Sequence, residues 1–211
     1  MNPREPHTHQ YIAAFAIATL LFFSGLWFGS YLSDQKLESI GDLENDIRLS
    51  TLGSELQYQI LEQEPCAASN STALIKELFE IGSRLDFMES QRGPKDPQVI
   101  ELKEFYHLLE IRHWLLMRQV KEQCSTNTDL ILYFYSNEGD CDKCSEQGTI
   151  LTYLHRTRPD ISIYSFDINI DNPALTALKE LFKVRSTPTL IVNDKKFESF
   201  TSLEELQSQL S

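Results

Sequence analysis

Cysteine is scarce in this chain, with four residues in 211, too few to build a fold from disulfides in place of a core. Positive charge is scarce too. Nineteen Lys and Arg against 31 Asp and Glu leave a formal net charge of −12, which repels phosphate and excludes nucleic acid or an anionic membrane surface as the partner. The acidic residues are spread along the chain and form no tail, so they read as a solvated surface. Strand-like alternation is missing throughout 33–124. At this length the chain holds one domain or two small ones, with enough residues to bury a core.

Only one long apolar run is present. Tyr11 to Leu32 carries no charge over 22 residues, which at 1.5 Å per residue matches a hydrocarbon core of roughly 30 Å. Tyr11 at its start, and Trp27 and Tyr31 near its end, suit the two interfaces. No Ala-x-Ala-like cleavage site follows, so the run is expected to be an uncleaved signal-anchor, a single transmembrane helix binding the lipid bilayer through residues 11–32. Arg4 before the run and Lys36 after it leave the positive-inside rule almost tied. The cysteines, all C-terminal to the run, fit an oxidising compartment. The expected arrangement is a single pass through the cytoplasmic membrane, with a short cytoplasmic tail, 1–10, and the rest outside, in the periplasm or at the cell exterior.

Residues 33–125 read as an antiparallel three-helix unit. Leu37, Ile40, Leu43, Ile47, Leu52, Leu56 and Ile60 recur at helical steps and Pro65 ends the first helix. Asn70 or Ser71 caps a second, with Leu74, Ile75, Leu78, Phe79, Ile81, Leu85 and Met88 as its apolar set, closed by Gly93-Pro94. A third runs from Gln98 to Gln123 with Val99, Leu102, Phe105, Tyr106, Leu109, Trp114, Leu116, Met117 and Val120 on its buried side. His107, His113 and His155 read as surface or partly packed residues. Cys66 and Cys124 then fall at the same end of the unit, where a structural disulfide is favoured over two free thiols. Gly41 and Gly53 weaken any coiled-coil reading of the first helix. Asn70-Ser71-Thr72 fits a glycosylation acceptor, although so short a pattern is frequent by chance.

The chemistry gathers at Asp140-Cys141-Asp142-Lys143-Cys144, just after the apolar run Leu130 to Tyr135 and upstream of Ser186-Thr187-Pro188-Thr189. Two thiols at Cys-x-x-Cys spacing between strand and helix can close a small disulfide ring. Zinc knuckles share that spacing, but the second short Cys pair of a zinc ribbon is absent here. Cys141, at a helix mouth, is the expected attacking thiol, and Cys144, a turn inside, the resolving one. Asp140 and Asp142 oppose a Cys141 thiolate while Lys143 favours it. That balance points to a moderate or reducing couple, the alternative being that both acids point into water and shift the thiolate little.

From about Leu130 to Leu210 these residues resemble the thioredoxin fold. Leu130 to Tyr135 resembles the strand entering the active site, Phe166 to Pro173 the second-strand segment and its turn, and Phe182 to Val192 the segment carrying the family's cis-proline, matched by Pro188. The family's aromatic residue and Gly-Pro around the cysteines are absent, and Tyr135 or Phe134 stands where thioredoxins carry a buried aspartate. The resemblance implies an α/β domain over 126–211, with a central mixed sheet, flanking helices and no cofactor. It also implies a cis Pro188 presenting the backbone of Thr187 to a bound peptide. A final edge strand is expected at 197–200 and a closing helix bearing Leu203, Leu206 and Leu210.

Two functions follow as expectations. One is a membrane-anchored, extracytoplasmic thiol-disulfide oxidoreductase, a reductase or isomerase of protein disulfides, served by a membrane partner that exchanges electrons with quinone or a cytosolic thioredoxin. The other is a redox-inactive scaffold or interaction module in which Cys141-Cys144 is a static disulfide.

Overall fold

The computed structural model describes residues 15–27, 52–68, 72–124 and 126–210. They divide into two units at residue 57, the second running from residue 58. Residues 15–27 and 52–63 are helical. No helix among the described residues is long and apolar enough to cross a membrane. The expected span 11–32 overlaps them only at 15–27. Its remaining residues, the tail 1–10, most of the expected first helix and the caps Asn70 and Ser71 lie outside them.

After a short helical turn, Pro65–Ala68, come α1 (Thr72–Arg92) and α2 (Pro97–Cys124). Their junction is written in the sequence. Gly93 takes the left-handed conformation, φ +85°, and its N–H returns to the Glu89 carbonyl at 2.8 Å, a helix stop that costs a residue without Cβ little. Three residues later the Asp96 carboxylate accepts from the Gln98 N–H at 3.0 Å, with Pro97 in the first helical position.

Next come β1 (Asp129–Tyr135), α3 (Cys144–Thr157), β2 (Ile161–Asp167), α4 (Pro173–Leu181), β3 (Thr189–Val192), β4 (Lys195–Phe197) and α5 (Leu203–Gln207). The sheet order is β2-β1-β3-β4. β1 pairs parallel with β2, from Asp129 beside Ile161 to Tyr135 beside Asp167, and antiparallel with β3, Phe134 opposite Thr189. Both faces are covered. Leu130, Leu132, Phe134, Phe166 and Ile191 pack with Ile111 and Trp114 of α2 and with Leu175 and Leu178 of α4. Ile131, Tyr133, Leu190 and Val192 pack with Leu151 and Leu154 of α3 and Leu206 of α5. A third cluster joins Tyr58, Leu74, Leu116 and Val120. The Arg112 guanidinium lies 3.9 Å above the Tyr58 ring.

Several expectations change. β2 begins at Ile161, so within the Phe166 to Pro173 segment only Phe166 and Asp167 belong to the strand. The last strand is residues 195–197, earlier than expected, because Asn193 and Asp194 both take positive φ, 48° and 72°. They make the two-residue hairpin turn whose twist suits antiparallel strands, and Val192 pairs directly with Lys195. On α1, Ile75 and Phe79 are 58% and 73% exposed, and on α2 Phe105 is 47% exposed. The buried side of α2 instead includes Lys103, His107, Glu110 and His113. His155 is exposed.

The polar residues on α2 have a shared cause, the outer edge of β2. Glu110 Oε1 accepts from the Ser165 N–H at 2.9 Å, and His107 Nε2 accepts from the Asp167 N–H at 3.3 Å. His113 Nδ1 and the Tyr164 hydroxyl share a hydrogen bond of 2.9 Å. A strand edge with no partner strand needs such acceptors, and α2 supplies them from side chains.

Candidate active site

The site stands where the C-terminal ends of β1 and β2 meet the N-terminus of α3. Cys141 and Cys144 form a disulfide with Cα atoms 5.5 Å apart. Asp142 and Lys143 make the turn between them, and Cys144 N–H reaches the Cys141 carbonyl at 3.3 Å. Cys144 is therefore the first residue of α3 and not one turn inside it. No side chain caps this helix, and the positive end of its dipole faces a sulfur ahead of it. Cys141 is half-buried, whereas Cys144 is 7% exposed. Only the first sulfur is open to a partner.

Two tyrosines of β1 support the pair. The Tyr133 hydroxyl donates to the Cys144 carbonyl at 2.7 Å, fixing the start of α3 against the sheet, and its ring stacks on Tyr135 with centroids 5.4 Å apart. Burial pushes both phenols above their ordinary range; for Tyr135 the carboxylates of Asp167, Glu89 and Glu110 push further. With Ser136, Cys141, Cys144 and Ser145 the two rings line a cavity of about 410 Å³. Another cavity, of about 300 Å³ among Trp114, Leu130, Phe182 and Asn193, lies at the opposite end of β1. It has no part in the thiol chemistry.

Two of the charged residues around Cys141, Asp140 and Lys143, are engaged. Ser136 Oγ donates to Asp140 Oδ1. Lys143 Nζ lies 2.6 Å from Glu146 and 5.4 Å from the centre of the Phe200 ring, so its charge is shared with a neighbouring acid. Asp142 is exposed. Gly139, at φ +88°, turns the loop into Asp140.

The Thr187–Pro188 peptide is cis. Phe134 is paired with Thr189, and one further step of that register brings Pro188 beside Tyr135, at the cysteine end of the sheet. Pro188 is buried and Thr187 half-buried. Cys66 and Cys124 form the second disulfide, Cα atoms 5.5 Å apart, between the Pro65–Ala68 turn and the last residue of α2. All four sulfurs are thus paired as two disulfides.

The residues that sequence reasoning misses are polar and lie outside the motif. Gln147 of α3 is buried, accepting from the Thr201 N–H at 2.8 Å and donating to its carbonyl at 3.3 Å. Ser136 and Asn169 bond to each other at 2.7 Å. Lys103 reaches Asp167 across the edge of β2. Ser136, directly after an apolar strand and five residues before Cys141, is the one whose position in the sequence hints at a role.

No family model and no curated protein matches the chain. Solved structures similar to it include thioredoxin O2 of Arabidopsis thaliana in its oxidised state, 20% identical, covering 45% of this chain and 84% of that one, TM-score 0.33. Thioredoxin O1 of the same plant is 18% identical over 44% and 84%, TM-score 0.34. The germline-specific thioredoxin Deadhead of Drosophila melanogaster is 21% identical over 43% and 84%, TM-score 0.30. At such scores the fold rests on the topology itself. A central β1 between parallel β2 and antiparallel β3, a helix opening at Cys-x-x-Cys and a cis-proline before β3 make the C-terminal part thioredoxin-like.

Proposed function

We propose that this chain is a membrane-anchored thiol-disulfide oxidoreductase acting outside the cytoplasmic membrane on protein disulfides, as a reductase or isomerase. The observation that carries this reading is the inequality of the two sulfurs, Cys141 accessible ahead of an uncapped helix and Cys144 buried behind it. In the reduced protein the Cys141 thiolate attacks one sulfur of a substrate disulfide, forming a mixed disulfide and expelling the other substrate sulfur as a thiolate. Cys144 then loses its proton and attacks Cys141, closing the Cys141–Cys144 bond and releasing the second substrate thiol. Two electrons pass to the substrate. A membrane dithiol partner returns two electrons to the pair for the next turnover.

Thr187 and Pro188 are the proposed substrate-binding residues, Thr187 offering its backbone to an extended peptide. Asp140, Asp142 and Lys143 are the proposed tuning residues. With Lys143 shared with Glu146, the acids outweigh it near Cys141, a balance that disfavours the thiolate and gives a more reducing couple. The uncharged run 11–32 supports the anchor, and the pairing of Cys66 with Cys124 suits an oxidising compartment.

The test is a trap. The full chain carrying Cys144→Ser, reduced and then mixed with insulin, accumulates a mixed disulfide through Cys141 that dithiothreitol releases. Absence of any adduct, with wild-type protein also failing to reduce insulin, removes the reading in favour of a static scaffold.

A further inference from the structure

Lys103 is 1% exposed, between carboxylates from two different elements. It makes an ion pair with Glu89 of α1 and lies 3.3 Å from Asp167 Oδ2 at the end of β2, with the Tyr135 ring centre 6.0 Å away. A buried ammonium needs such partners. The contacts continue past Asp167. Its Oδ1 accepts from the Asn169 N–H at 3.1 Å and from Asn169 Nδ2 at 3.0 Å. The same Nδ2 donates to Ser136 Oγ at 2.7 Å, and Ser136 Oγ donates to Asp140 beside Cys141.

Donor and acceptor accounting gives this chain one direction. An amide nitrogen only donates, so Asn169 needs an acceptor on both sides. Ser136 Oγ, already accepting from Asn169 and from the Glu138 N–H at 3.2 Å, has its one hydrogen left for Asp140. The Lys103 ammonium pairs with Asp167, which orients Asn169, which orients Ser136. A second contact ties the same loop to the α1–α2 junction, Lys95 Nζ lying 2.5 Å from Glu138.

We propose that Lys103 is a positioning residue for the Cys141–Cys144 couple, acting through Asp167, Asn169 and Ser136 to hold the Asp140 carboxylate in a hydrogen bond. Helices outside the thioredoxin-like part thereby set its redox poise. The inference rests on the oxidoreductase reading. Removing the ammonium, or the Ser136 hydroxyl alone, leaves Asp140 with a less neutralised charge beside Cys141. The thiolate becomes less favourable and the couple more reducing.

The experiment is a glutathione titration of the full chain in detergent, reading the Cys141–Cys144 midpoint by alkylation in wild type, Lys103→Met, Lys103→Arg, Ser136→Ala and the Lys103→Met/Ser136→Ala double variant. The value of [GSH]²/[GSSG] at half-reduction is expected to rise about threefold or more in Lys103→Met and in Ser136→Ala, as loss of a charge-assisted hydrogen bond implies. Lys103→Arg restores it, and the double variant moves no further than either single one. If Lys103→Met does not fold, Ser136→Ala and Asn169→Leu carry the same expectation. Midpoints unchanged in folded variants, or additive shifts in the double variant, overturn the coupling and leave the oxidoreductase reading intact. A wild-type pair that does not exchange overturns both.

Discussion

Glu110 of α2 accepts a hydrogen bond from the backbone N–H of Ser165 across 2.9 Å, so a carboxyl group stands where a further strand would otherwise pair. Three helical residues, Glu110, His107 and Lys103, follow one another along the last residues of β2. Their spacing of three and four puts them on one helix face. The helical part of the chain is in this way fastened to the edge strand whose end adjoins the cysteines.

Acid should loosen that edge. Burial, with the Lys103 charge adding to it, holds His107 down at about 3, and burial holds His113 at about 4. The unfolded chain binds these protons near pH 6.5 and the folded one only well below it, so their stabilisation is complete above pH 6.5 and is lost as pH falls toward 4 and 3. The slope is at most about 1.4 kcal/mol per pH unit for each imidazole. Urea midpoints between pH 7.5 and 4.5 measure it, and His107→Gln, which keeps an acceptor for the Asp167 N–H, should flatten the fall.

Glu110 works in the opposite sense. Burial raises its carboxyl well above the ordinary range, against a lowering by the Ser165 N–H. The folded chain then keeps a proton that the unfolded chain gives up above about pH 4.5, so stability falls as pH rises from there through the folded value. Glu110→Gln retains an acceptor for Ser165 and removes the ionisation. Its melting temperature should exceed that of wild type at pH 8, with the difference closing toward pH 4.

Asn193 is a structural hub at the far end of the sheet. Its side chain accepts from Lys121 Nζ at 2.7 Å and from the Leu130 N–H at 3.1 Å, and donates to Asp129 at 2.6 Å. It also takes the left-handed conformation that Asn tolerates. Asn193→Ala should cost about 2–4 kcal/mol by equilibrium denaturation, without moving the Cys141–Cys144 midpoint. Asn193→Gly should recover the backbone part alone.

The two disulfides should separate by function. Cys66–Cys124 joins residues 58 apart in sequence; losing that cross-link through a Cys66→Ser/Cys124→Ser double variant should cost about 4 kcal/mol in the chain-entropy account. Reactivity of Cys141 toward glutathione should persist below the lowered melting temperature.

Orientation is open to direct test. If the body lies outside the cytoplasmic membrane, a membrane-impermeant maleimide added to intact, briefly reduced cells labels Cys141. Labelling only after the membrane is broken would reverse the proposed topology.

Much of the fold is legible in the sequence because β1, the Cys-x-x-Cys pair and the segment from Pro188 into β3 each have a local signature. Gly93, with Pro94 after it, marks the end of α1 for the same reason. The burial of α2 is not legible. Lys103, His107 and Glu110 look like a solvated face until β2 is placed beside them, and their partners lie 55 to 64 residues away. Conversely, Phe79 and Phe105 look like core residues and are exposed. Within the site the cysteines are readable by spacing, whereas Ser136 and Asn169 acquire a role only when the ends of β1 and β2 are brought together. The Asn193-Asp194 turn is a local signal that displaces the last strand from 197–200 to 195–197.

The most direct measurement is a glutathione redox titration of the full chain, with thiols trapped by alkylation and located by peptide mass. The account predicts that Cys141 and Cys144 reduce together in one two-electron step at a defined midpoint, while Cys66 and Cys124 stay bridged. A Cys141–Cys144 bond that stays closed until the protein unfolds would contradict it.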